Sequence, residues 1–156
     1  MYQLLKSIHV FAVVIFMGNI ITGLFWKMHA DGTKNRAIIA HMMRGLIRAD
    51  RWFTIPGVVV ITAAGILAAI QGGLPLLRTG WILWSLILFA VSGLVFVLRV
   101  APLQIQLRAL AQAGVDKGSF DWAGYHRLAK TWERWGALAL LTPIAALVLM
   151  VLKPTL

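Results

Sequence analysis

The chain has 156 residues, no cysteine and a formal net charge of +10. Hydrophobic residues make up 60% of it and charged residues only 13%, whereas a typical soluble domain is about half apolar and roughly a quarter charged. This composition excludes an ordinary soluble enzyme. The lack of cysteine also excludes disulfides, thiolate metal ligands and a cysteine nucleophile.

Four stretches without charged residues, 7–26, 52–77, 79–98 and 135–152, contain most of the apolar residues. Each approaches or exceeds the roughly 20 residues that a membrane-spanning helix needs, and none alternates as barrel strands do. We predict an all-α integral membrane four-helix bundle. It forms a single domain over residues 1–156, with spans at about 4–27, 52–71, 80–100 and 134–152. We expect the first span to be retained in the mature protein, because it is longer than the core of a signal peptide.

The basic residues predict the orientation of the bundle. Twelve lysines and arginines follow the first and third spans, and only Lys6, Arg78 and Lys153 lie elsewhere. By the positive-inside rule, both long connecting segments lie in the cytoplasm and both termini lie outside. This predicts a multi-pass protein of the inner (plasma) membrane that contacts the lipid bilayer. All five acidic residues fall on the same inner side. We therefore expect a wet face on which charges of both signs, Lys27 and Asp50 among them, are solvated, and we predict no nucleic-acid binding.

Both long connecting segments, 34–51 and 103–113, show helical periodicity, so we expect them to prolong the spanning helices. His41, Arg44, Arg48 and Arg51 share one face of the first segment, which suits anionic lipid headgroups. We expect the third helix to end near Gly114. Asp121 is the predicted N-cap of the last helix.

Polar residues inside the spans are functional candidates, because polar groups in hydrocarbon need partners. Serine and threonine hydroxyls can bond to their own helix, and Asn19 is predicted to bond to a neighbouring helix. His9 stands out because Lys6 lies one turn earlier on the same face. The set comprises Lys6, Ser7, His9, Asn19, Thr22, Thr54, Thr62, Ser85, Ser92 and Thr142.

Two interpretations of His9 stay open at this stage. A neutral imidazole in a four-helix core can ligate the iron of haem b, with Lys6 pairing a haem propionate. The simpler interpretation is a histidine bonded to a hydroxyl or carbonyl of a neighbouring helix. The spacing of the sequence does not separate them.

A second axial ligand for such an iron is hard to find. His29 lies about 30 Å along the helix from His9, at 1.5 Å per residue. Met150, near the outer end of the fourth helix, is a candidate weak axial partner; otherwise the iron is five-coordinate and open to a substrate. His29, His41 and His126 form a separate candidate for an inner metal or second haem site, although no close ligand spacing supports it.

Several short segments resemble a known superfamily. Residues Lys6 to Val14, with Gly18, Phe25 and His29, look like the first helix of the bacterial four-helix membrane protoporphyrinogen oxidases, which begins with lysine-x-x-histidine. Further points of similarity are Pro56 with Gly65, Trp81 at the start of helix three, and Leu152-Lys153-Pro154 at the end of the chain. The wider superfamily includes CopD-type copper-resistance membrane proteins. It also contains a family of predicted integral membrane proteins without an assigned function, which this chain resembles most.

The resemblance implies haem binding through His9 and redox chemistry on a porphyrin, or with quinone or another redox protein. Two departures weaken the link to porphyrinogen oxidation. The oxidases have a lysine four residues after the tryptophan of helix three, where this chain has Ser85. Their later histidine in that helix has no counterpart near Val95.

Three functional hypotheses follow from the sequence. The first is a haem b protein in redox or electron transfer, with His9, Lys6 and Met150 at the cofactor. The second is a copper- or metal-handling membrane protein of the CopD type, although Met17 and Met150 are isolated soft ligands. The third is an accessory or scaffold subunit of a membrane complex. The sequence leaves a homo-oligomer open, and no catalytic acid or base stands out inside the spans.

Overall fold

The computed structural model describes residues 1–155 as four long helices. They are α1 (Tyr2–Gly32), α2 (Arg36–Gln71), α3 (Gly80–Lys117) and α4 (Trp122–Leu152). All four are long and apolar enough to cross a membrane, and residues 1–155 contain no strand. Large apolar side chains such as Phe11 and Leu94 are exposed at 71% and 60%, as expected for a surface that faces lipid. The all-α four-helix prediction is confirmed.

The predicted helical extensions are present, because α2 and α3 remain helical through both connecting segments. Asn35 caps the start of α2, and its side chain accepts from the amides of Ala37 and Ile38. We call the end of the bundle that carries these extensions the extension end. The opposite end, which carries the termini and the short α2–α3 connection, is the terminal end. The side of the membrane that each end faces stays a prediction.

A wide π-helical turn interrupts both α2 and α3. The turns are Asp50–Thr54 and Phe96–Val100, and each is followed after one residue by a proline, Pro56 or Pro102. Proline has no amide hydrogen and its ring crowds the carbonyl four residues earlier. A five-residue bond from Ile55 to the Asp50 carbonyl, and from Ala101 to that of Phe96, accommodates it. π-Turns of this kind often occur at functional sites.

Helix ends follow local sequence signals. The Asp121 side chain accepts from the amide of Gly124 at 2.9 Å, which confirms the predicted N-cap of α4. Helix α3 ends at Lys117, three residues beyond the expected Gly114, because Gly118 adopts the left-handed conformation that terminates helices. Gly73 has a φ of 66° in the tight connection to α3, where a side chain would be strained.

The helices associate as two pairs over the terminal half of the bundle. There α1 packs along α2, and α3 packs along α4. Small residues of α2 allow the close approach: an added Cβ on Gly57 would lie 3.4 Å from Cβ of Phe16. The residues of α3 and α4 in this half have no close backbone contact with α1 or α2 other than a limited approach of α4 to α1. The two pairs are therefore held apart there.

At the extension end all four helices contribute to one apolar core. Ile39, Met43, Leu107 and Tyr125 are at most 1% exposed, and Ala30 of α1 packs with them. This core joins the pair α1–α2 to the pair α3–α4. Most of this core lies outside the most apolar stretches of the sequence, because many of its residues belong to the amphipathic extensions of α2 and α3.

A buried ammonium ties α1 to α4 beside this core. Lys27 is 0% exposed, and its Nζ lies 2.7 Å from Asp31 and 2.8 Å from Glu133. The Tyr125 hydroxyl donates to Asp31 at 2.6 Å, and Nζ lies 5.2 Å from the centroid of the Trp132 ring. The sequence placed Lys27 among the solvated inner charges, and its burial shows that this part of the interpretation was wrong.

Replacing Lys27 with methionine should destabilise the protein by about 3 kcal/mol, because removing one partner of a buried ion pair leaves the other without compensation. Thermal unfolding in detergent, followed by circular dichroism, measures the change. Lys130→Met is the matched control, since Lys130 is exposed on α4. Equal losses in the two variants would contradict the structural role of Lys27.

Candidate functional site

A cavity of about 710 Å³ opens between the two helix pairs in the terminal half. We call it the His9 cavity. All four helices line it, and its polar and charged lining residues include Tyr2, Lys6, His9, Thr62, Trp81, Ser85 and Lys153. Its volume falls within the range of pockets that bury a small organic molecule.

The His9 imidazole is fixed by a bond to the neighbouring helix. Its Nδ1 lies 2.9 Å from the carbonyl oxygen of Ile61 on α2. A carbonyl oxygen only accepts, so Nδ1 carries the hydrogen and Nε2 keeps a free lone pair. The simpler interpretation predicted such a bond, and it is present. Metal-ligating histidines make the same bond through the nitrogen that does not bind the metal, so it is also compatible with iron ligation.

Gly65 provides the space that the imidazole occupies. A Cβ at this position would lie 2.9 Å from Nδ1 and 3.0 Å from Cε1 of His9. The ring therefore packs directly on the backbone of α2, one turn beyond the carbonyl to which it donates. The sequence comparison marked Gly65 through the resemblance, and the structure supplies its physical role.

Lysines are the charged residues that line the His9 cavity in the described part of the chain. They are Lys6 on α1 and Lys153 just after α4, and both are exposed. The Lys153 ammonium lies 5.4 Å from the centroid of the Trp81 ring. A cavity rimmed by two ammonium groups favours an anionic ligand.

Met150 and Ser85 line the same cavity from α4 and α3. The structure thus brings Met150 to the cavity that contains Lys6 and His9. The Ser85 hydroxyl donates to the carbonyls of Trp81 and Ala146 at 2.7 and 3.2 Å. Its bonding is satisfied within α3 and α4, so Ser85 contributes no charge where the oxidases have a lysine.

Several of the residues that carried the resemblance converge on one place, whereas others, such as His29 and Pro56, lie elsewhere. Lys6, His9, Gly65, Trp81 and Lys153 come from four separate segments, and all of them line the His9 cavity. No pattern in the sequence required them to meet. Their convergence makes this cavity the candidate site.

The three remaining histidines do not form a cluster. His29, His41 and His126 are exposed at the extension end, and His29 stacks on Phe25. Residues 1–155 contain no group of three His, Asp or Glu side chains that could hold a metal ion. These histidines lie on three different helices, and the structure does not bring them together as an inner metal or second haem site would require.

A second cavity of about 390 Å³ lies towards the extension end. We call it the Asp50 cavity. Phe16 and Phe89 line both cavities, and their rings pack edge to face with centroids 5.6 Å apart. This ring pair separates the two spaces.

Asp50 is only 7% exposed and accepts three hydrogen bonds. Asn19 and Thr54 donate to its Oδ1 at 3.3 and 2.7 Å, and Gln104 donates to its Oδ2 at 2.9 Å. Asn19 therefore bonds to a neighbouring helix, as predicted. Sequence reasoning missed the network, since it assigned Asp50 to the wet inner face. The sequence did contain one signal for a buried aspartate: Asp50 lies at the start of an apolar span that a proline, Pro56, interrupts.

The fold and the lipid-exposed apolar surface define a four-helix integral membrane protein. The model of a family described as "Predicted integral membrane protein (DUF2269)" matches residues 3–154, and the chain belongs to this family. Neither a curated protein nor a solved structure matches it.

Gly65→Ala should destabilise the protein by about 1 to 3 kcal/mol, because the new methyl group must displace the His9 ring or the backbone of α2. Thermal unfolding measures the effect. Gly18→Ala is the control, since an added Cβ there meets nothing within 4 Å. An equally stable Gly65→Ala variant would show that the His9 ring is not held against α2.

Proposed function

We propose that this protein binds haem b in the His9 cavity, with His9 as the iron ligand, and that it takes part in redox or electron transfer. The observation that carries the proposal is the bond from Nδ1 of His9 to the Ile61 carbonyl, which orients the free Nε2. A fixed imidazole with one free nitrogen is the usual state of a metal-binding histidine. The surrounding cavity has room for a porphyrin-sized molecule.

The charges at the rim support the same ligand. Haem b carries two propionates, and Lys6 and Lys153 lie on α1 and at the end of α4, so each can pair with one carboxylate. Both lysines are exposed, which suits groups that remain at the boundary of the membrane. The apolar remainder of the lining, such as Val13, Ile61 and Phe89, suits the face of a macrocycle.

The redox assignment follows from what a bound haem supplies, which is a one-electron couple tuned by its axial ligands. His9 would hold the iron through Nε2, and the largely apolar lining of the cavity would surround the macrocycle. Met150 is the proposed partner on the opposite helix pair. We do not propose porphyrinogen oxidation, because Ser85 provides no cation for a porphyrinogen substrate.

The proposal also covers the membrane, the orientation in it, the electron partner and the superfamily of the protein. We place the protein in the plasma membrane with both termini outside, on the distribution of its basic residues. The electron partner is a quinone or another redox protein, as the resemblance to the oxidases implies. We also propose that the protein is related to the CopD superfamily, on the basis of the residues that converge at the His9 cavity.

The test is the visible spectrum of detergent-purified protein, oxidised and then reduced with dithionite. We expect a Soret band and a reduced alpha band in the wild type and their loss in His9→Ala. His29→Ala is the matched control, because it removes an exposed histidine from the same helix. A colourless wild type after expression with ample haem would sink the proposal, and so would a coloured His9→Ala variant.

Elemental analysis of the same samples separates the alternatives. Iron equimolar with protein supports the haem assignment. Copper without iron would favour the CopD-type hypothesis, for which Met17 and Met150 in the His9 cavity would be the soft ligands. Neither metal, together with a co-purifying protein, would favour the accessory-subunit hypothesis.

Met150→Leu should retain haem but lower its reduction potential, because a methionine axial ligand raises the potential relative to other ligands. Potentiometric titration of the reduced alpha band measures it. Met28→Leu, an exposed methionine on α1, is the control. An unchanged potential in Met150→Leu would remove Met150 from the coordination of the iron.

A further inference from the structure

The Asp50 cavity contains a buried carboxyl group without a cationic partner. Both ion pairs found in residues 1–155 belong to Lys27, whereas Asp50 hydrogen-bonds to the neutral donors Asn19, Thr54 and Gln104. Three donors that face its oxygens are the arrangement that an ionised carboxylate needs, because that form only accepts hydrogen bonds. A buried charge in a membrane needs a partner, so a cation is the ligand that this arrangement would favour.

The wall of the cavity indicates what kind of cation fits. Asp50 is its sole charged lining residue in the described chain, and most of the others are aliphatic or aromatic. A bare metal ion needs several oxygen ligands at short distance, and it would leave most of the 390 Å³ unfilled. A molecule that carries an ammonium group on an apolar framework would fill the space, and the rings of Phe16, Phe89 and Phe96 could make cation–π contacts with the ammonium.

A second polar group that lines this cavity, the indole N–H of Trp132, has no hydrogen-bond acceptor in the described chain. Trp132 lines it and is 4% exposed, and its Nε1 is the one buried side-chain nitrogen or oxygen atom without a hydrogen bond in residues 1–155. The ammonium of Lys27 lies over its ring, which leaves the N–H edge available. Indole N–H only donates, so the missing partner is an acceptor such as an ester, ether or carbonyl oxygen.

The cavity has a route from the bilayer. Val59 on α2 and Val97 on α3 both line it, yet they are 63% and 64% exposed on the outer surface of the bundle. Residues of α2 and α3 have no close backbone contact beyond the π-turns towards the terminal end. The space between these helices therefore faces lipid, from which an amphiphile can enter sideways.

We propose that the Asp50 cavity is a binding site for amphiphilic organic cations that carry an ammonium group and an acceptor oxygen on an apolar body. Asp50 is the counterion, and Asn19, Thr54 and Gln104 hold its carboxylate in place. Trp132 donates to the oxygen of the ligand. The site is separate from the His9 cavity, whose lysines favour anions, and it does not depend on haem binding.

Benzoylcholine is a suitable probe because it combines a quaternary ammonium, an ester and an aromatic ring. Its neutral counterpart of the same shape is 3,3-dimethylbutyl benzoate. Equilibrium dialysis against protein in nanodiscs of zwitterionic lipid, with empty nanodiscs subtracted, measures both. We expect saturable binding of benzoylcholine at one site per protein and much weaker binding of the neutral ester.

Asp50→Asn should weaken benzoylcholine binding on the order of 100-fold, since removing one partner of a buried charge pair has a large effect. Asp116→Asn, which removes an exposed carboxylate at the same end, should leave it unchanged. Trp132→Phe keeps an aromatic ring and removes the N–H, so it should weaken binding by roughly threefold to tenfold. The thermal unfolding of each variant shows whether it is folded.

A cavity-filling variant tests the site while keeping Asp50. Gly93 lines the cavity, and an added Cβ meets nothing within 4 Å, so Gly93→Leu should fold and block benzoylcholine. Gly18→Leu has the same open surroundings but does not line the cavity, and it should bind normally.

Three results would overturn the proposal. They are no saturable binding of benzoylcholine by the wild type, equal binding by Asp50→Asn, and equal binding by Gly93→Leu. A preference for the neutral ester would also overturn it, because the carboxylate would then have no role. The haem spectrum of Asp50→Asn should match the wild type, so failure of either proposal leaves the other open to its own test.

Discussion

The buried Lys27 ion pair and the apolar core beside it hold together a bundle whose terminal half is open. Over the terminal half, α1 packs on α2 and α3 packs on α4, and the two pairs are separated by the His9 cavity. Lys27, which is itself fully buried, joins the end of α1 to Glu133 of α4, and the apolar core beside it includes all four helices. Rigidity at the extension end allows the terminal half to be hollow, because the pairs need not touch there to stay aligned.

Two cavities of opposite electrostatic character lie along the axis of this bundle. The charged residues lining the His9 cavity are lysines, and the single charged residue lining the Asp50 cavity is an aspartate. Phe16 and Phe89 separate them. Lys6 and Lys153 are exposed whereas Asp50 is buried, and the ligands that we propose for the two cavities therefore differ in the sign of their charge.

Prolines shape both halves of the structure by leaving carbonyls free. Pro143 in α4 removes the amide that would bond to Ala139, and Ser92 of α3 donates to that carbonyl at 2.6 Å. Pro56 lies just after the π-turn that begins at Asp50. In α4 the missing backbone bond coincides with a polar contact between helices, which Ser92 makes. In α2 the π-turn before Pro56 carries Asp50, whose side chain accepts from Asn19 of α1 and Gln104 of α3.

The sequence by itself determined the membrane class, the number of helices, their extensions, the N-cap of α4 and the candidate His9. These features depend on local composition, periodicity and residue spacing, which a linear chain displays directly. The sequence also identified Lys6 and Met150, but not that they share a cavity with Gly65, Trp81 and Lys153.

Only the tertiary structure decided which polar residues are buried and against what. Lys27 and Asp50 look like solvated inner charges, because a residue next to a helical span can face water or the bundle and its spacing does not say which. Helix packing turned both inward, gave Lys27 two carboxylates and left Asp50 with neutral donors alone. The same packing dispersed His29, His41 and His126 over exposed faces, since residues on different helices meet only where those helices are in contact.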